Sequence, residues 1–188
     1  MIQTVTMGDI GVSPIAGPFS YYLNWQETAI LVALTRSVAP HVMIEFGCNV
    51  GMTAKRILNN VATIEKYIGI DVPHYHQTVL RCQDTEVPRN PGCYAADDER
   101  FSVLIAEREL TKDDLEPCDA VFIDGDHSDA AVIHDSELAR ELIRPGGIIC
   151  WHDNLNQAVE VTQVLERLNH KGWPIKQVAG SWIAFMRT

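Results

Sequence analysis

The chain has 188 residues, 46% hydrophobic and 21% charged, with a formal net charge of −10. That size and balance suit one soluble globular domain with a full core, and the acidity excludes binding to nucleic acid through its phosphates. No apolar run nears a membrane span, and Met1 to Gly17 lack the basic start and apolar core of a signal peptide. The five cysteines (Cys48, Cys82, Cys93, Cys118 and Cys150) are scattered and odd in number. Such a pattern suggests reduced thiols, so a cytoplasmic protein is expected, and the net charge of −10 favours a small or cationic ligand.

Residues 1–19, with Gly8, Gly11, Pro14, Gly17 and Pro18, read as an irregular arm, and 20–188 as a single domain. From Ser20 to Ala39 the pattern is helical: Leu23, Ala29, Ile30, Ala33 and Leu34 form an apolar stripe, and Pro40 stops it. Tyr21, Tyr22 and Trp25 near its start read as packing residues, or alternatively as a lid over a ligand mouth. Val42 to Ile44 reads as a buried strand, followed by Glu45, a loop holding Gly47 and Gly51, and a helical stripe of Ala54, Ile57, Leu58 and Val61. Strand, glycine turn and helix build a ligand site in an open α/β sheet, at the carboxyl ends of the strands. A dinucleotide loop needs Gly-x-Gly-x-x-Gly, and here the second and third glycine positions hold Asn49 and Met52. What remains is Glu45-x-Gly47-x-x-x-Gly51, where an acid beside the loop suits a cationic ligand without phosphate.

The second strand, Tyr67 to Ile70, ends in Asp71, placed to accept both hydroxyls of a ribose; a solvated strand-end acid is the alternative. Residues 72–100 carry Pro73, Pro88 and Pro91 and read as a long loop, best taken as a substrate-facing flap. His74, His76, Cys82 and Cys93 within it could bind zinc, but no Cys-x-x-Cys pair supports that. Ser102 to Ala106 reads as a third strand, followed by Glu107 and Arg108.

In the second half, Asp119 to Asp124 reads as a buried strand running into Gly125-Asp126-His127. Ser128 can cap a helix that runs to Arg144, with Ala131, Leu138 and Leu142 on one face, ended by Pro145-Gly146-Gly147. A fifth strand, Ile148 to Trp151, leads into His152-Asp153-Asn154. Asp124, Asp153 and Asn154, on neighbouring strand ends, form a hard oxygen set suited to Mg²⁺; His127 and His152 nearby keep Mn²⁺, Fe²⁺ or Zn²⁺ open. Asp153 and Asn154 could instead cap a helix beginning near Asn156. Residues 156–170 form that amphipathic helix, and Ile175 to Val178 with Trp182 to Met186 make a terminal hairpin through Gly180-Ser181.

The glycine loop resembles the first motif of class I methyltransferases that use S-adenosylmethionine. Asp124-Gly-Asp-His-Ser128, Leu142-Ile-Arg-Pro-Gly-Gly147 and His152-Asp-Asn154 look like the metal-dependent O-methyltransferases, a group including catechol, caffeoyl-coenzyme A and sugar enzymes. The match covers roughly residues 20–187. It implies a Rossmann-like, seven-stranded, mostly parallel sheet with an antiparallel last strand and helices on both faces. It further implies S-adenosylmethionine held by Glu45, Gly47, Cys48, Asn49, Gly51, Asp71, Glu107, Arg108 and Asp124, with the adenine near Glu107 and Arg108. Asp124, Asp153 and Asn154 would hold Mg²⁺ or another divalent cation, and His127, with Asp126 as second candidate, would be the general base.

Two features depart from the family. Cys48-Asn49 replaces smaller residues in the first motif, and a histidine stands where the catechol and caffeoyl enzymes use a lysine base, which points towards sugar hydroxyls. The expectation is Mg²⁺-assisted O-methylation of a small-molecule hydroxyl (sugar, diol or phenol), by a protein that could form a homodimer. The alternatives are metal-independent N- or O-methylation, a nicotinamide oxidoreductase, and a non-catalytic S-adenosylmethionine-binding protein. The missing glycines and the terminal hairpin speak against the oxidoreductase, and no Asn-Pro-Pro-Tyr-like motif follows the fourth strand to suggest amide or base methylation.

Overall fold

Short β-branched and aromatic runs alternate with helical stripes along this chain, and in the structure they form one eight-stranded sheet with helices on both faces. The computed structural model describes residues 1–16, 24–77 and 87–188. Its strands are β1 (Gln3–Val5), β2 (Val42–Phe46), β3 (Lys66–Asp71), β4 (Phe101–Ile105), β5 (Cys118–Ile123), β6 (Ile143–Trp151), β7 (Lys176–Val178) and β8 (Ala184–Arg187). The helices are α1 (Trp25–Arg36), α2 (Met52–Asn60), α3 (Asp129–Leu142) and α4 (Val161–His170). The strand order is β1-β7-β8-β6-β5-β2-β3-β4. Only β8 runs antiparallel, to both β6 and β7. The order reverses between β2 and β5, so their carboxyl ends open the crevice where such sheets bind ligands.

Each face has its own core. α1 and α2 cover one with Ile30, Leu31, Leu34, Ala54 and Ile57 against Met43, Tyr67 and Phe122. α3 and α4 cover the other with Leu138, Leu142, Val164 and Leu165 against Ile44, Ile70, Val121 and Trp151. The parallel strands β2, β3 and β5 are buried on both sides, which is why they read as unbroken apolar runs.

Three expectations need correction. The arm of residues 1–19 is not wholly irregular: Gln3–Val5 pairs in parallel with β7, and Gly8–Ile10 is a 3-10 turn. That pairing makes the sheet eight-stranded instead of seven-stranded, and a three-residue edge strand is too short for alternation to reveal. Pro145-Gly146-Gly147 do not separate α3 from its strand. β6 begins at Ile143, and the register to β5 shifts between Cys118 and Ala120, so these residues form an irregularity inside β6. The last helix starts at Val161 with Glu160 at its N-cap, so Asp153 and Asn154 do not cap it. Tyr21, Tyr22 and Cys82 lie outside the described residues.

Trp151, fully buried, donates its indole N–H to Ser136 Oγ at 2.9 Å, and the Ser136 hydroxyl donates in turn to Val132 O at 2.6 Å. Ser136→Ala orphans that N–H, and the variant is expected to lose about 1–3 kcal/mol of stability in urea denaturation.

Candidate active site

The loop after β2 turns in a conformation that glycine supplies: Gly47 has φ 80° and Gly51 φ 79°, with Asn49 also left-handed at 47°. A Cβ on Gly47 would lie 2.2 Å from Asp124 O, so the loop backbone packs directly on the end of β5. A Cβ on Gly51 would meet the Gly92 backbone at 2.8 Å. The segment around Gly92 is tied to the loop by Gly92 N to Asn49 O (2.7 Å) and Tyr94 N to Val50 O (2.9 Å). Residues 90–95 are therefore part of the loop's support, which the flap reading of 72–100 did not anticipate. His74 Nδ1 lies 2.6 Å from Val87 O and His76 borders the cavity. Among the described residues neither belongs to a metal-type cluster.

Cys48 is compensated from below. It is buried over Gly69, whose missing side chain leaves room for it, and its Sγ lies 4.0 Å from Asp71 Oδ2. Asp71 accepts from Asn49 N at 2.7 Å on Oδ2, to which the Cys48 thiol also turns, and from Val72 N at 2.8 Å on Oδ1, which leaves Oδ1 a free lone pair. Burial pushes its carboxyl up to about 6 against the pull of those two N–H groups. Glu45 sits behind the loop, 1% exposed, and receives the Tyr67 hydroxyl at 3.0 Å. Burial raises its carboxyl far above the ordinary range, with Tyr67 opposing and Asp124 and Asp71 adding to the rise.

A cavity of about 620 Å³ opens over these strand ends. It brings together Gly47, Cys48, Asn49, Asp71, Glu107, Arg108, Asp124, Asp126, His127, His152 and Asp153, all singled out from the sequence, and adds His134 and Asp135. Arg108 reaches Asp114 through two bonds of 3.0 and 2.6 Å, so its guanidinium is already engaged. Asp126 Oδ1 accepts from Ser128 N at 2.9 Å, closing the turn into α3.

The densest chemistry lies where β5 and β6 end. His152 Nδ1 is 3.0 Å from Asp153 Oδ2 and 3.2 Å from Asp124 Oδ1. His127 Nε2 is 2.9 Å from Asp153 Oδ2 and 3.7 Å from Asp124 Oδ1, yet it is buried with no well-directed hydrogen bond among the described residues. Desolvation works against both imidazolium charges, but the facing carboxylates prevail, raising His127 to about 10 and His152 to about 12. Burial opposes the charges of Asp124 and Asp153 as well, and the two histidines hold both below the usual carboxylate range. Asn154 donates its amide to Gln177 Oε1 and leaves Oδ1 buried without a partner among the described residues.

The sequence reading missed one member, Glu27, and with it the contact that Glu27 makes with His152. His152 belongs to the cluster with Asp124 and Asp153. Glu27 of α1, 6% exposed, places Oε2 3.3 Å from His152 Nε2 and takes Trp182 N on Oε1 at 2.7 Å. Its signal was present: Glu27 falls on the same helical stripe as Ile30, Leu31 and Leu34, and a carboxylate on a buried stripe needs a partner.

A family model described as a methyltransferase domain matches residues 44–154, more than half of the chain. The chain belongs to this methyltransferase family. Its sheet order, with one antiparallel strand, is the class I fold. The chain is similar to cofactor-bound Rv0187 from MTB (17% identity, TM-score 0.64, covering 89% of this chain and 81% of that one). It is also similar to an O-methyltransferase from Bacillus cereus in complex with SAH (16% identity, TM-score 0.61, 90% and 84%). Precorrin-6y C5,15-methyltransferase from Geobacter metallireducens GS-15 shares the fold at 14% identity and TM-score 0.64, over 93% and 94%. No curated protein sequence matches this chain. Among the described residues no helix is long and apolar enough to cross a membrane.

Because position 47 has both a left-handed backbone and no room for a Cβ, Gly47→Ala is expected to cost roughly 2–6 kcal/mol, read as a lowered midpoint in chemical denaturation.

Proposed function

We propose that the protein transfers a methyl group from S-adenosylmethionine to a hydroxyl oxygen of a small molecule, assisted by a divalent cation. The observation that carries this reading is a shared cavity: the glycine loop and Asp71 line one part, and Asp124, His127, His152 and Asp153 another. A volume of about 620 Å³ falls in the range of small-molecule sites. The fold alone leaves the acceptor open, since carbon- and oxygen-methylating proteins both share it.

The donor side fits the ligand. Asp71 keeps a free lone pair on Oδ1 for a ribose hydroxyl, the loop at Gly47 to Asn49 lets a ligand approach the backbone, and Glu107 lines the same cavity as a candidate neighbour of the adenine. S-adenosylmethionine, when bound, supplies an electrophilic methyl, so the protein's task is alignment and a deprotonated acceptor.

The acceptor side fits a cation. Asp124 and Asp153 offer oxygens, Asn154 Oδ1 is a buried polar atom without a partner among the described residues, and Asp124, His152 and Asp153 lie within ligand spacing of one another. A divalent cation held there would supply positive charge that favours ionisation of a hydroxyl. His127 is the group placed to take the acceptor's proton at Nε2, and Asp126, engaged with the Ser128 N–H, is the less suited one. A second reading is favoured by the charged state of His127 and His152: without a cation, two imidazoliums could offset the carboxylates and the methylation would be metal-independent.

Calorimetric titration with S-adenosylhomocysteine tests the donor claim, and the absence of binding to a folded sample would defeat it. Asp71→Asn is expected to weaken that binding about tenfold or more, the worth of a charged hydrogen bond. The sign with pH follows from the raised carboxyl: affinity should be full above about 6 and fall as acid protonates Asp71, and this fall should be missing in Asp71→Asn. With an accepted diol, sugar or phenol, His127→Ala should lower kcat by about 10²–10⁴-fold while S-adenosylhomocysteine binding stays intact.

A further inference from the structure

The cluster at the ends of β5 and β6 contains more than the oxygen set expected of a magnesium site. Glu27, Asp124 and Asp153 converge on two imidazoles, and every ion pair these carboxylates make among the described residues is with His127 or His152. Even with both imidazoles protonated, the group carries one more negative charge than positive. An uncompensated charge at such depth is costly, so the cluster favours a further cation.

His152 is oriented for that cation from behind. Its Nε2 faces Glu27 Oε2 at 3.3 Å, which favours the proton on Nε2, and its Nδ1 then presents a lone pair between Asp153 and Asp124 at 3.0 and 3.2 Å. Ligand atoms about 2.1 Å from one ion and at right angles lie about 3 Å apart, the spacing seen between this nitrogen and the two oxygens. Glu27 is fixed in turn by Trp182 N at 2.7 Å and Asn24 Nδ2 at 2.6 Å. A carboxylate, an imidazole and a cation in series is the arrangement by which proteins orient a histidine ligand.

We propose that His152 Nδ1 joins Asp124 and Asp153 as a ligand, with Glu27 as its positioning residue, so that the site takes a first-row divalent transition ion such as Mn²⁺ in preference to Mg²⁺. Imidazole is a ligand that Mg²⁺ disfavours and transition ions accept. This deepens the cation part of the proposed function and does not depend on which acceptor is methylated.

The test uses the full chain freed of metal with EDTA, titrated with Mn²⁺ and with Mg²⁺ by calorimetry, with pulsed electron paramagnetic resonance of the Mn²⁺ form to detect a bound ¹⁴N. Mn²⁺ is expected to bind at least tenfold tighter than Mg²⁺ and to show a directly coordinated nitrogen that disappears in His152→Gln but persists in His127→Gln. If the glutamine variant does not fold, His152→Asn serves in its place. Glu27→Gln should weaken Mn²⁺ by about 10–100-fold with the melting temperature of the metal-free protein little changed. Mn²⁺ bound without nitrogen, a nitrogen signal lost only in His127→Gln, equal affinity for Mg²⁺, or no cation binding to the folded protein would each overturn the proposal. Titrating S-adenosylhomocysteine in parallel keeps the two readings apart. If it binds while Mn²⁺ does not, the methyl-donor reading stands and the cation site falls; Mn²⁺ binding without it has the opposite meaning.

Discussion

Everything functional in this protein depends on one close approach. Gly47, at the end of β2, lies against the Asp124 carbonyl at the end of β5, too near for any side chain between them. These strands are neighbours at the point where the sheet order reverses, so the crevice outside them is where two βα loops diverge. Contact of the two backbones sets the glycine loop and Asp124 at the edge of one cavity. A looser junction would separate the loop that suits a methyl donor from the acids that suit a cation.

Much of this was legible in the chain, for identifiable reasons. Buried parallel strands are continuous apolar runs, so β2, β3 and β5 announce themselves, and β3 and β5 lead into Asp71 and Asp124, which face the cavity. The Gly47 and Gly51 spacing excluded a phosphate loop, and both glycines indeed take left-handed conformations. What stayed hidden depends on packing between distant segments. Gln3–Val5 becomes a strand only because β7 offers it an edge, and nothing within three residues encodes that. The role of Gly69 in making room for Cys48 joins strand β3 to the loop after β2, whose register is set by the sheet. Glu45 looked like a carboxylate beside the ligand, yet it points to Tyr67 on the face covered by α1 and α2; alternation along β2 decides its side, and a short apolar run does not reveal which side is the site.

Glu27 and His152 illustrate the same limit from the other direction. One lies on α1 and the other follows β6, 125 residues apart in sequence, and the chemistry resides in their contact. The capping contact between Asn24 and Glu27 has a consequence beyond helix stability, because it fixes the carboxylate that faces His152. The turn before β8 adds a second restraint through Trp182 N, so the antiparallel strand that distinguishes this sheet from a dinucleotide fold also braces the site.

The charge of the cluster then separates two chemistries that the fold permits equally. If protons supply the compensation, His127 and His152 are both cations, and neither can accept a proton from an acceptor hydroxyl until it has lost its own. If a metal ion supplies it, the carboxylates no longer hold the imidazole protons so strongly, and His127 is left beside the cavity as a base. Ion and proton thus compete for the same carboxylate oxygens, and the base is released by the agent that also favours ionisation of the acceptor. That coupling requires the imidazoles to face the acids as closely as they do, at 2.9 to 3.2 Å for the nearest pairs, and it gives Glu27 a reason to be buried where a helix would otherwise carry leucine.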